Sequence, residues 1–312
     1  MERGPFDSGS LSVWRYASFG SAIPDGIRLP DGLPELYDDD ETPPPFVERG
    51  EDAVTMHFHD VGRFRIGLVD HTITGFDIDP ETAECVIEHI LNDHIAPRLL
   101  AELGKLVLHA STVRFGDRVA LFLGETGAGK STLATSLHQA GHRLLGDDAV
   151  IVTREADSYV AQVVYPSLRL YPEAIARLIG DAAQTAPMAD YSDKQHVRLP
   201  DLPPSAEAPL PLAAIFFISG PSDDGTVSAA PLQGTMACIK LVEQSFTLDP
   251  RDARCAARRL AALSDLALAV PAYTLSYPHE FARLDEVRAV IEGIMDTGGE
   301  AEPHSYQEKL SR

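Results

Sequence analysis

The stretch Gly124-Glu125-Thr126-Gly127-Ala128-Gly129-Lys130-Ser131 fits the pattern G-x-x-x-x-G-K-[S/T] without a mismatch, and Thr132 follows it. It lies between an apolar run at 119–123 and a helix-like stretch at 131–140. A strand, a glycine-rich turn and a helix in that order predict an α/β core. The glycines let backbone N–H groups fold inward around phosphate oxygens, and the opening helix adds its positive end. In such a loop Lys130 reaches the outer phosphates and the Ser131 hydroxyl can hold Mg²⁺, so the expected ligand is a nucleoside triphosphate.

The chain has 312 residues, enough to bury a full core. Its 47 acidic against 26 basic residues give a net charge of −21. That balance argues against a nucleic-acid or anionic-membrane partner, because phosphate backbones are held by Lys and Arg. Cys85, Cys238 and Cys255 are widely spaced with no C-x-x-C pair, which fits free thiols in a reducing compartment. The first residues lack the apolar core of a signal peptide and no apolar run is long enough to span a bilayer, so a cytoplasmic location is expected.

Residues 1–50 carry Asp38-Asp-Asp-Glu41 and Pro43-Pro-Pro45, a composition that predicts a poorly structured segment. Residues 51–104 read as a small β-rich domain: alternating apolar residues at 54–58, 64–68 and 73–76, then a helix over 80–103 that Pro97 must kink or break. Residues 105–300 form the main domain and 301–312 a tail. Within it, 106–115 and 118–123 read as two antiparallel strands around a Gly116-Asp117 turn. If Phe115 pairs with Arg118, His109 falls opposite Gly124. Further strands are expected near 143–145, 149–152, 159–164, 168–171, 212–218 and 273–276, and helices near 173–179, 236–244, 251–267 and 281–295. Residues 181–211, rich in Pro, Ala and Asp, read as a mobile connection.

Phosphoryl transfer needs a metal ligand, a group to take the nucleophile's proton and positive charge on the moving phosphoryl. Asp147 and Asp148 are the acidic candidates for the first two roles and, with Ser131, for the Mg²⁺ site. The later apolar strand at 213–218 ends in Ser219-Gly220 with no acid, which pushes the metal role onto the pair. Arg169, Lys194 and Arg198 are candidate cations for phosphate or substrate. His57 and His59 share a strand face on alternation but lack a third ligand in register. His89 and His94 are spaced so that an α-helix keeps them apart, and Cys238 and Cys255 fall in apolar helices as core residues.

Leu108-His-Ala-Ser111, then 124–131, then Gly141-His-Arg-Leu-Leu-Gly-Asp-Asp148 resemble the catalytic core of the HPr kinase/phosphorylase family. They resemble more closely its shorter members encoded with lasso- and other ribosomal-peptide clusters. The likeness is specific over about residues 105–153 and weaker through Pro166-Ser-Leu-Arg-Leu-Tyr-Pro172. It implies a fold of the HPr kinase/phosphoenolpyruvate carboxykinase type and an ATP- and Mg²⁺-dependent serine kinase. One Asp of the pair would be the base, the other would assist the metal, and His109 would lie near the transferred group. The implied partner is a peptide or small protein bearing a serine, with self-association into a homo-oligomer left open. The HPr enzyme's N-terminal domain is not recognised in residues 1–104. The other class of function that a phosphate loop supports is an ATPase or nucleotide-binding regulator with no phosphoryl acceptor.

Overall fold

The computed structural model describes residues 14–19, 46–180, 183–189, 192–202, 207–222 and 225–297. Its N-terminal sheet holds β1 (Arg15–Ser18), β2 (Phe46–Arg49), β3 (Ala53–Phe58), β4 (Gly62–Gly67) and β5 (Thr72–Phe76), in the order β1-β5-β4-β3-β2. The three strands expected from alternation form its centre. Both edge strands come from the segment whose composition predicts no structure, because their pairing with β5 and β3 supplies the order. The remainder of residues 1–50, including the acidic run, and the expected tail lie outside the described residues. Strand β3 ends at Phe58, so His57 and His59 do not share a face. His57 is buried with Nε2 2.8 Å from Glu48, whereas His59 is exposed beside Asp60.

Val54, Met56, Phe64, Ile66 and Ile73 point to one face of this sheet and pack on Ile90, Leu91, Ile95 and Leu99. Those residues belong to α1 (Glu84–His89), a π-helical turn (Ile90–Ile95) and α2 (Ala96–Glu102). Pro97 lies inside a helical run that continues from α1 through α2, so it does not end the helix, but its missing N–H leaves the preceding turn one bond short. The irregularity is the π turn before it, closed by the Ala96 N–H donating to the Leu91 carbonyl. Bonding from i to i+5 brings His89 and His94 together, with ring centroids 5.1 Å apart, contrary to the α-helical expectation.

The second half opens with β6 (Leu106–Leu108), β7 (Ser111–Phe115), β8 (Arg118–Leu123), α3 (Lys130–Gln139), β9 (Arg143–Gly146), β10 (Val150–Glu155) and β11 (Ser158–Val163). Phe115 pairs with Arg118 as the turn predicts, but the ladder ends at Ser111 opposite Phe122. What reads as one strand over 106–115 is two. The His109 N–H donates to the Gln244 carbonyl at 2.7 Å, and Ala110 and Asp148 exchange backbone bonds at 3.3 and 3.2 Å. Those bonds draw the chain off β8 and hand Leu106–Leu108 to β10, so His109 does not lie opposite Gly124.

Next come β12 (Arg169–Leu170), α4 (Pro172–Leu178), β13 (Gln184–Ala189) and β14 (Ser192–Arg198). The expected mobile connection is therefore largely a hairpin in a three-stranded sheet, β12-β14-β13. Pro187 is accommodated because β13 is an edge strand. The last described elements are β15 (Leu210–Ile218), β16 (Ser228–Pro231), α5 (Gly234–Glu243), α6 (Ala253–Ala269), β17 (Ala272–Ser276) and α7 (Leu284–Asp296). Cys85, Cys238 and Cys255 are free and half-buried; Cys238 packs against the core, whereas Cys255 lies outside it. Among the described residues no helix is long and apolar enough to cross a membrane.

The fold is thus mixed α/β with several sheets. The largest runs β6-β10-β11-β15-β8-β7-β9, with β17 also on β15 and β16 beyond it. Strands β8, β15 and β17 are parallel, so the loop after β8 opens at their shared carboxyl edge. Phe122, Phe216 and Tyr273 stack across these three strands at 5.3 and 5.4 Å and are fully buried. Phe216→Ala should cost about 3–5 kcal/mol, against under about 0.5 kcal/mol for Leu268→Ala on the surface of α6, both measured by urea unfolding.

Candidate active site

The glycine-rich loop leaves β8 at Gly124 and enters α3 at Lys130, with Gly129 in the left-handed conformation at φ 90°. A Cβ on Gly124 would stand 3.0 Å from the Ile218 carbonyl oxygen and 3.2 Å from the Ala128 Cβ. The turn is therefore closed to larger residues. Glu125, Thr126 and Gly127 are exposed, Ala128, Gly129, Ser131 and Thr132 are half-buried, and no side chain caps the first turn of α3. Lys130 is buried at 6% exposure and its ammonium donates to the carbonyls of Gly124 at 2.7 Å and Glu125 at 3.1 Å. Burial lowers its pKa, while Asp147 and Asp148 pull the other way.

The acid pair follows β9, which ends where Gly146 pairs with Thr112. Asp147 Oδ1 accepts the hydroxyl of Ser111, and Ser111 is the residue opposite Phe122, two positions before the loop. One strand spacing, about 5 Å, thus separates the residue that holds Asp147 from the strand that carries the loop. Asp148 has φ 110°, a strained value for a residue with a side chain, of the kind found at functional sites. Its Oδ1 accepts from Arg169 Nη2, and its Oδ2 lies 3.2 Å from the Ser167 hydroxyl, which also contacts the Asp147 carbonyl. His109 Nε2 is 3.8 Å from Asp148 Oδ1. Burial, and then the charge of Asp147, push the Asp148 carboxyl up to about 8 against the pull of Arg169. His109 keeps 34% side-chain exposure. Burial and the charges of Lys130, Arg169 and Lys194 hold it below the usual imidazole value.

Arg169 belongs to this site rather than to the surface, with only 11% of its side chain exposed. Its Nη1 is 3.2 Å from Asp93 Oδ2 on the π turn. Asp93 Oδ2 in turn lies 2.5 Å from His89 Nδ1, and the Tyr165 hydroxyl donates to Oδ1. Burial would lower the Arg169 pKa and raise that of Asp93. The paired acids outweigh it for Arg169, and the bond from His89 with the charge of Arg169 outweighs it for Asp93. Lys194, on β14, places Nζ 5.3 Å over the Tyr171 ring, close enough to act on Lys130 and His109. Arg198 ends the same strand exposed to solvent and is not brought into the cluster.

Sequence reasoning overlooks Ser111, Ser167, Tyr165 and Asp93, and sets His89 aside on its spacing from His94. Ser111 and Ser167 lie within the quoted segments, but hydroxyls next to no recognised motif give no signal. Spacing of four residues does place His89 and Asp93 on one helix face. The oxygen set of Ser131, Asp147 and Asp148 is of the hard kind that suits Mg²⁺, which takes one or two carboxylates plus phosphate oxygens. Ser111 engages one Asp147 oxygen, whereas both Asp148 oxygens have partners, so Asp147 suits the metal better. Among the described residues, Glu102, Asp252 and Cys255 form the one His/Cys/Asp/Glu group close enough to share an ion. Arg49 already lies there, 2.8 Å from Glu102.

No family model matches the chain, and no curated protein matches it. Among solved structures it is similar to the Hpr(Ser) kinase/phosphatase from Coxiella burnetii, at 11% identity and a TM-score of 0.34, over 61% of this chain and 97% of that one. A likeness that distant leaves function to be judged from the residues themselves.

His94, beside this network, is pushed down to about 3 by burial and by Arg98, and Phe58 meets its ring edge-on at 5.6 Å. A histidine buried neutral contributes stability that is complete above its unfolded value of about 6.5 and is lost as pH falls toward the folded value. Thermal midpoints should therefore decline from pH 6.5 downward. His94→Phe should flatten that decline; an unchanged acid limb would show that His94 does not cause it.

Proposed function

We propose that the protein is an Mg-ATP-dependent kinase that transfers the γ-phosphoryl of ATP to a serine hydroxyl of a peptide or small protein. A ribosomal-peptide precursor is the most specific acceptor class this reading supports. The observation that carries it is a buried acid pair one strand away from a lysine-bearing phosphate loop, with Lys130 within the electrostatic reach of both carboxylates.

In this reading the loop amides and Lys130 hold the β- and γ-phosphates. Asp148 takes the proton of the acceptor hydroxyl as its oxygen bonds to the γ-phosphorus, and the bond to the β,γ-bridging oxygen breaks to release ADP. Burial and the neighbouring Asp147 raise the pKa of Asp148 toward the working pH, the direction that suits a general base. Asp147 and Ser131 would hold Mg²⁺, which supplies charge neutralisation on the phosphate oxygens. His109, kept neutral, presents Nε2 beside Asp148 without adding charge to it. Arg169 and Lys194 supply positive potential.

The rival reading, a P-loop ATPase or nucleotide-binding regulator with no phosphoryl acceptor, shares the loop but gives Asp148 no acceptor hydroxyl. Incubation with γ-labelled ATP and serine-containing peptides should yield labelled phosphoserine; label appearing only as inorganic phosphate would favour the ATPase. Asp148→Asn should lower kcat by about 10²–10⁴-fold with ATP still bound, and Lys130→Ala should weaken ATP binding in a direct titration. Phosphoserine formed at the normal rate by Asp148→Asn would sink the proposed base.

A further inference from the structure

Asp93 has no part in the chemistry above, yet it reaches that chemistry through a single side chain. It stands on the π-helical turn between α1 and α2, and its Oδ2 faces Arg169 Nη1 at 3.2 Å. The other end of the same guanidinium, Nη2, donates to Asp148 Oδ1. Arg169 Nε is buried with no partner, so the planar head is held only through its two terminal nitrogens. Its backbone offers little support, because β12 is two residues long. Besides Asp93, Nη1 meets the Met188 sulfur at 3.3 Å and His89 Nδ1 at 3.1 Å, neither of which carries a fixed negative charge. Asp93 is in turn fixed by the Tyr165 hydroxyl and by His89. The π turn aims this carboxylate, and such turns recur at functional sites.

We propose that Asp93 is a positioning residue for phosphoryl transfer. It sets the plane of the Arg169 guanidinium, which in turn fixes the orientation of the Asp148 carboxylate. The helix pair packed on the N-terminal sheet thereby helps to build the active site. This role rests on the kinase reading, and the test keeps the two separable.

Asp93→Asn keeps the shape of the side chain and its bond from Tyr165 but removes the charge. Arg169→Lys replaces a fork that spans two acids with a point charge that cannot. Turnover is read as labelled phosphoserine formed on the serine-containing peptides from γ-labelled MgATP, and binding as the Kd of MgATP in a fluorescence titration. Asp93→Asn should lower kcat about tenfold with Kd changed less than about twofold, and should add less than about twofold in the Arg169→Lys background. The same fractional loss in both backgrounds would mark a merely structural role and overturn the proposal, as would a kcat unchanged by Asp93→Asn. If circular dichroism shows Asp93→Asn unfolded, Tyr165→Phe enters the same cycle, with about a threefold loss expected in the natural background and none beside Lys at 169. A natural protein that forms no phosphoserine, whether or not it binds MgATP, overturns the kinase reading and this role together. Turnover abolished by Asp148→Asn but indifferent to Asp93 and Tyr165 overturns this role alone.

Discussion

One guanidinium, that of Arg169, stands between two buried carboxylates and connects the two halves of the chain. Asp148, Asp93 and Arg169 each expose about a tenth of their side chains or less. Burying three charges is unfavourable unless each finds a partner, and one cation between two acids leaves the group short of neutral. Hydroxyls make up part of the difference: Ser167 toward Asp148 and Tyr165 toward Asp93. Such a network contributes little net stability over an apolar core of equal volume, while breaking it by removing one member costs about 3–5 kcal/mol. Its value lies in geometry, since each member has few orientations that satisfy the others.

That geometry suits the chemistry proposed for the site. An aspartate with a left-handed backbone, buried and beside another carboxylate, is held in a form that resists ionisation. The field that would favour its anion comes from Arg169 on one side and from Lys130 on the other. Lys130 in this arrangement bonds to its own loop's carbonyls, contacts that a phosphate would compete for.

How much of this was legible differs by element. The loop was, because strand, glycines, lysine and helix are contiguous and their spacing is chemistry. The adjacency of Asp147 and Asp148 after a short strand was, but the burial of both was not. The turn between β7 and β8 was, and with it the register of that hairpin. The break at His109 was not, because it is made by backbone bonds to Gln244 and Asp148, distant in sequence. The hairpin of β13 and β14 was hidden by Pro187 and by a composition that reads as a connection, since an edge strand tolerates both. The π turn was only half legible, because a proline inside a helix foretells a distortion in the turn before it but not its form.

By itself the sequence determined the local pieces: a glycine-rich loop joining strand to helix, two adjacent acids after a short strand, and a β-rich N-terminal half. Those depend on contacts between near neighbours, which spacing records. Tertiary structure alone decided that Arg169 is a buried bridge rather than a surface cation, that His109 faces Asp148 rather than Gly124, and that Asp93 takes part at all. Each of those rests on which buried charge lies closest across the fold. Electrostatic energy in a low-dielectric interior is set by that distance and has no counterpart in linear spacing.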